Sequence, residues 1–284
     1  MAATGLVTIK RRIKSVKNTK KITKAMGLVA TSKLKKAREK LNGNNNYYNA
    51  YKEIMDEVIP SLSEESIFIT GNKSAKKLII VITSDMSLCG SYNSSILIRL
   101  NEIIGENKEN YLVMLVGQRG RVLVKKYKYE TVAEYVEIPD VPTTKESNII
   151  YRHGLSMYLN GEVGEVQLLY TRFFNQLRKE PVYVKLLPLS TDVVKDDNEI
   201  KFDIEGDKEE FLDKLVAPYF NSVILNAMIN SKVAEQSYRM EAMESATKSA
   251  DELIDKYNLM YNRIRQSAIT QEISEIVGGA QAQK

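Results

Sequence analysis

Between Asp207 and Val277 the chain contains no glycine, and those 71 consecutive residues hold a single proline, Pro218. Glycine and proline are the residues that most often end or break helices. A stretch this long without them predicts one helix of about 100 Å at the usual rise of about 1.5 Å per residue. A globular domain of this size cannot enclose such a helix, so it must project and find something to pack against. Pro218 marks either a bend or a late helix start. Met243, Ala246, Ala250, Leu253, Tyr257, Met260 and Ile264 alternate at spacings of three and four, the pattern of a coiled-coil seam. Ile269, Ile273 and Ile276 continue as a second apolar stripe.

The amino-terminal end carries a matching seam. It runs Ile9, Ile13, Val16, Lys20, Thr23, Gly27, Ala30, Leu34, Ala37 and Leu41, polar or small where a permanent zipper would place leucine. Gly27 and Ala30 allow a close partner helix. Two unpaired long helices on one chain are most simply satisfied by each other, antiparallel, with a domain at one end. The asparagine-rich stretch Asn42 to Asn46 is where the first helix would fray or break.

The middle of the chain changes period. Lys77 to Thr83 and Tyr111 to Val116 are apolar, β-branched runs of the kind buried on both faces of a parallel sheet. Segments 132–138, 163–171 and 182–189 read as further strands, with helices at 94–106, 118–127 and 144–160 between them. Alternating strands and helices predict a Rossmann-like α/β domain with a mostly parallel sheet. The expected organisation is a coiled-coil helix over 1–58, an α/β domain over 75–200 and a second coiled-coil helix over 207–284.

Such a domain raises the question of nucleotide binding. After the first strand stands Ser84-Asp85-Met86-Ser87-Leu88-Cys89-Gly90, with neither the glycine spacing of a dinucleotide site nor the lysine of a phosphate-binding loop. Gly117-Gln118-Arg119-Gly120 after the second strand is read as a tight turn. His153 is the one histidine, so no histidine-based metal site or relay can be built, and it is assigned to structure or surface. Asp85 and Cys89 lie where α/β enzymes keep reactive groups. Cys89 has no base partner in the sequence and is read as a small buried hydrophobe. Lys125-Lys126 and Asp196-Asp197 are solvated pairs. No catalytic constellation, cofactor motif or metal-ligand set emerges.

Charge is unevenly spread. Residues 1–40 hold thirteen Lys or Arg and one acid, Glu39, a net +12 in a chain whose total is +5. The remainder is therefore mildly acidic, at −7. A basic arm calls for an acidic partner: nucleic acid, anionic lipid or an acidic protein surface. The arm has no aromatic residue to stack on bases, and its charges recur beside an apolar stripe, which favours a protein-facing helix. A basic coiled coil that binds nucleic acid or an acidic scaffold is the alternative. No run approaches the ~18 apolar residues of a membrane span, and no secretory leader is visible. A single cysteine excludes an internal disulfide and fits a reducing compartment.

Three segments carry a resemblance. Ile9 to Leu41, IKRRIKSVKNTKKITKAMGLVATSKLKKAREKL, resembles the first helix of ATP synthase gamma subunits. Arg239 to Ala282 resembles that family's last helix and contains its ITxE…E…GA signature, and SDMSLCGSYN resembles its loop after the first sheet strand. The three fall in the family's order and span nearly the whole chain. Met86-Ser87 stand where the family usually has a basic residue and glycine, and Ser249 where asparagine is common. The cysteine-bearing insertion of chloroplast members is missing, so thiol regulation is not expected.

The resemblance implies a central rotor shaft without a cofactor or active site of its own. Its implied partners are a ring of three alpha and three beta subunits, the epsilon subunit and the c-ring, with no nucleic acid and with the membrane reached only through those partners. The implied location is the cytoplasmic face of a bacterial membrane. Arg265 and Gln266 match positions that meet an acidic loop of beta, and Thr270, one turn further on, is a candidate contact with it. Met26 matches a contact with the beta lever region, and Lys10, Arg11, Lys20, Lys21 and Lys24 are candidate basic contacts. Ile269, Ile273 and Ile276 would form an apolar bearing tip.

Overall fold

The computed structural model describes residues 2–59, 66–189 and 208–282. Pro60, the Asp196-Asp197 pair and the expected boundaries at 200 and 207 lie outside the described residues. The chain divides into two compact units, 1–30 with 239–284 and 31–238. Helix α1 (Ala2–Val58) and helix α6 (Lys208–Ala282) each contribute to both. Neither breaks: α1 runs on through Asn42–Asn46, and α6 starts well before Pro218, which merely withholds one N–H from the ladder.

In the first unit α1 and α6 pair antiparallel. Lys20 meets Asp251, Thr23 meets Thr247, and Gly27 lies opposite Met243, so numbers rise on one helix as they fall on the other. On α1 the seam falls where its pattern puts it, with Ile9, Thr23 and Ala30 buried and Ile13, Val16 and Lys20 half-buried. On α6 the seam differs from the expected one. Met243, Ala250, Tyr257 and Ile264 do face inward, but the second row is Thr247, Ile254, Tyr261 and Ala268; Ala246 is half-buried beside Thr247, while Leu253 and Met260 turn outward. Leu253 is 42% and Met260 43% exposed, against 9% for Ile254. Both rows satisfy a heptad, since the partner of each first-row residue can lie three or four positions on, and apolar residues occupy both.

The second unit is built on a five-stranded sheet in the order β3-β2-β1-β4-β5. Strands β1 (Lys77–Ile82), β2 (Tyr111–Val116), β3 (Glu130–Tyr135) and β4 (Glu165–Phe173) are parallel, and β5 (Lys179–Leu187) pairs antiparallel with β4 at the edge. Helices α3 (Tyr92–Ile104), α4 (Gln118–Tyr127) and α5 (Thr144–Leu159) supply the crossovers, and a short α2 (Ile67–Thr70) precedes β1. Alternation along β1 sorts the core. Leu78, Ile80 and Ile82 join α5, α6 and the end of α1, while Ile79 and Val81 face Ile96, Leu100 and Val124 of α3 and α4. Within this unit α6 is buried all round from Phe220 to Ser237, as expected of a helix held between layers. Its asparagines are matched inside: Asn226 Nδ2 donates to Asn45 Oδ1 at 3.1 Å, Asn230 Nδ2 to Asn226 Oδ1 at 2.8 Å, and Phe173 N to Asn230 Oδ1 at 3.3 Å.

Candidate functional site

Ligands of open α/β sheets gather outside the carboxyl ends of the strands, where helix N-termini offer free N–H groups. Here β1 runs into Thr83-Ser84-Asp85, and those three residues take up the start of α4. Gly120 N donates to Thr83 Oγ1 at 3.0 Å, Arg119 N to Ser84 O at 2.9 Å, and Gln118 N to Asp85 Oδ1 at 3.0 Å. Those are the donors that an anionic ligand would otherwise use. Gly117 and Gly120 make the approach possible. A Cβ on Gly117, at φ +100°, would lie 2.3 Å from Thr83 O, and one on Gly120 would lie 2.8 Å from Thr83 Oγ1. The GxxG stretch is thus a close backbone crossing.

Asp85 goes further. Its carboxylate also accepts from Glu137 N at 3.1 Å and Ile138 N at 3.0 Å, and Lys232 Nζ lies 3.8 Å away. Lys232 is in turn 3.4 Å from Glu235 on the next turn of α6. Lys232 and Glu235 are buried, so these are ionised groups held in the interior, where they persist only when paired. Sequence reading noted Asp85 and missed its partners. The available signal was Lys232 as the one charged residue in the stretch Val223 to Ala234.

Neighbouring groups serve the same loop. Asn93 Nδ2 donates to Ser84 Oγ at 2.8 Å and to Cys89 Sγ at 3.3 Å, and Ser84 Oγ donates to Met86 O at 2.8 Å. Cys89 is buried. His153 Nδ1 lies 2.8 Å from Tyr135 Oη, a local, part-buried hydrogen bond. Burial pushes the Tyr135 hydroxyl above its ordinary pKa. Among the described residues no cluster of His, Cys, Asp and Glu has metal-binding geometry, and no helix is long and apolar enough to cross a membrane.

The other expected site residues are spread along the paired helices. Lys10, Arg11, Lys21 and Lys24 face solvent on α1, and Met26 is half-buried. Lys20 is the exception among the cations: it lies in the seam and is engaged by Asp251, so it is not one of the outward-facing set. Arg265, Gln266 and Thr270 face outward on α6, opposite in sense to the seam residues Ile264 and Ala268. The Thr270 hydroxyl donates to Gln266 O at 3.0 Å, which leaves its oxygen as an acceptor. Ile269, Ile273, Ile276 and Val277 are 48–66% exposed. The antiparallel register exhausts α1 at about this point, so the four residues lack a partner helix within their unit.

Comparison with known proteins places this arrangement. The ATP synthase family model matches residues 5–283. The chain is 48% identical over 285 residues to the ATP synthase gamma chain of Clostridium novyi and 47% identical to that of Clostridium kluyveri, with complete coverage of both chains in each case. Among solved structures it resembles a chain of the central stalk and c-ring of Tetrahymena thermophila mitochondrial ATP synthase, with TM-score 0.61, 25% identity, and coverage of 79% of this chain and 99% of that one. It has the fold of a chain in the OSCP, F1 and c-ring structure of Euglena gracilis mitochondrial ATP synthase, with TM-score 0.72, 15% identity, and coverage of 99% and 95%. Matched end to end at close to half identity, with the long paired helices and the parallel sheet in place, the chain belongs to the ATP synthase gamma chain family.

Proposed function

We propose that this chain is the central rotor shaft of an F-type ATP synthase, coupling ion-driven rotation of a c-ring to conformational change in the beta subunits of an alpha/beta ring. The observation that carries the reading is α6. It is one helix of 75 residues, sealed on every side from Phe220 to Ser237 and paired with a single helix beyond Arg239. A rod of that kind transmits force without needing a binding pocket. Turning it presents a different face to each surrounding subunit, and an interaction energy that differs between conformations is what shifts a conformational equilibrium.

In this reading the outward-facing Arg265, Gln266 and Thr270 hydrogen-bond an acidic loop of beta, and Lys10, Arg11, Lys21, Lys24 and Met26 meet its lever region. Lys20 acts within the seam. Ile269, Ile273 and Ile276 turn as a bearing, because apolar contacts are non-directional and have no hydrogen bond to break at each angle. The α/β domain rests with an epsilon subunit on the c-ring, at the cytoplasmic face of a bacterial membrane. Catalysis belongs to the beta subunits, and this chain contributes no reacting group. The engaged α4 N-terminus supports that part of the reading, because its donors are already used by Thr83, Ser84 and Asp85.

The test is reconstitution with alpha and beta subunits from the same organism. One copy of this chain should enter a complex with three of each, and ATP hydrolysis should appear in the complex and be missing from the chain alone. Turnover by the isolated chain, or failure to join the ring, would contradict the proposal.

A further inference from the structure

Along most of its length in the α/β unit, α6 is held by apolar side chains. Phe220, Ile224 and Met228 pack into the layer with Leu78, Ile80 and Ile82. Such contacts bind strongly but carry no directional bond, so they resist separation better than a small rotation of the helix about its own axis. One place differs. Lys232 bridges Asp85 at 3.8 Å and Glu235 at 3.4 Å, with the Lys232 side chain 9% and the Glu235 side chain 4% exposed. Asp85 is anchored in turn by three N–H groups, of Gln118, Glu137 and Ile138. Those anchors sit at the start of α4 and on the segment leaving β3. A load on Lys232 is therefore spread over both sides of the sheet's carboxyl edge.

We infer that Asp85, Lys232 and Glu235 form a buried ionic joint that locks the rotation of α6 relative to the sheet, so that turning force crosses between domain and shaft at this point. The inference rests on the rotor reading. Three features fit the role. The tie is off the helix axis, where it opposes twist. Lys232 and Glu235 are shielded from solvent, where salt screens charge least, and Asp85 is 18% exposed. It also meets a carboxylate already fixed by three backbone donors, so the anchor does not swing with the load. Lys232 and Glu235 are positioning residues in this scheme and touch no substrate.

The joint is tested by removing the tie while Asp85 keeps backbone donors for its charge. In Lys232→Met with Glu235→Gln both buried charges go together, and Asp85 keeps its three amide donors. Exchange of a buried ion pair for side chains of similar volume often leaves stability intact. The chain is assembled with alpha and beta subunits and a probe is attached through Leu177→Cys, on the turn between β4 and β5 where the side chain is 99% exposed, with Cys89→Ser as background. The readout is the angular fluctuation of the probe while the ring is arrested with bound nucleotide. We expect its variance to rise about twofold while thermal stability and ring ATPase stay at wild-type levels, since the apolar packing and not the ion pair carries most of the stability. Lys232→Arg should keep the wild-type variance. Asp85→Asn, which weakens the same tie from the other side, should loosen it as well. An intact complex with unchanged variance in the double variant overturns the inference. If the double variant does not fold, unchanged variance in Asp85→Asn overturns it. Failure of the wild-type chain to enter the ring would overturn the rotor reading and the joint with it, whereas a normal ring with unchanged stiffness sinks the joint alone.

Discussion

The hydroxyl oxygens of Thr23 on α1 and Thr247 on α6 meet at 2.8 Å inside the helix pair, one turn from the Lys20–Asp251 ion pair. A seam of apolar residues can slide by a heptad, whereas paired polar groups are matched in one register. Replacing either threonine by valine removes the cross-helix bond and leaves the other hydroxyl only its own helix, Lys20 O at 3.1 Å for Thr23 or Met243 O at 2.7 Å for Thr247, and replacing both removes the mismatch. A double-mutant cycle on the isolated chain should give a coupling of about 0.5–1.5 kcal/mol, with the double variant more stable than the sum of the single effects. Strict additivity in denaturant unfolding would show that the pair does not set the register.

Two glycines should respond in opposite directions. A Cβ on Gly27 would meet Met243 Cβ at 3.5 Å, an ordinary contact, so Gly27→Ala keeps the helix spacing and should gain about 0.5–1 kcal/mol of stability. Gly117→Ala places its Cβ 2.3 Å from Thr83 O at a backbone angle that other residues avoid. It should lose on the order of 3 kcal/mol, because the β1–β2 crossing and the α4 N-terminus shift together. Thermal unfolding of both variants checks the contrast.

Acid should loosen the opposite end of the sheet. Burial pushes the Glu165 carboxyl up, but hydrogen bonds from Gln167 Nε2 at 2.7 Å and from Lys77 Nζ at 3.0 Å, together with the charges of Lys77 and Lys185, hold it below its ordinary 4.5. A carboxyl with a depressed folded-state pKa contributes stability that is fully present above 4.5 and is lost as pH falls through the folded-state value. Melting temperature should therefore fall more steeply below pH 4.5 in the wild type than in Glu165→Gln. Parallel curves for the two proteins would contradict the assignment.

Arg265 faces outward and makes none of the ion pairs found within the described residues. Arg265→Ala should leave the melting temperature of the isolated chain within about 1 °C, as for an exposed position without such features. In the assembled complex it should reduce ions pumped per ATP by more than it reduces assembly. Full pumping in complexes carrying Arg265→Ala would remove it from the beta contact.

Much of the fold is legible in the sequence because its signals are long. A stretch of 71 residues without glycine, and β-branched runs at Lys77–Thr83 and Tyr111–Val116, leave little choice of secondary structure. The α6 seam is less legible, since Leu253 and Ile254, or Met260 and Tyr261, satisfy a heptad equally well and only the packed partner decides. The joint around Lys232 is hidden for a related reason. Asp85 and Lys232 are 147 positions apart, and their pairing depends on how α6 lies against the sheet. Asn42–Asn46 look like a break because asparagine is a poor helix former, yet Asn45 is matched by Asn226 in the packed unit, where tertiary contacts override propensity.

The most direct measurement follows a probe on Leu177→Cys in a surface-fixed complex of this chain with alpha and beta subunits as ATP is added. The account predicts continuous rotation in one direction, in steps set by a threefold ring, stopping when ATP is removed. A ring that hydrolyses ATP while the probe holds one angle would contradict it.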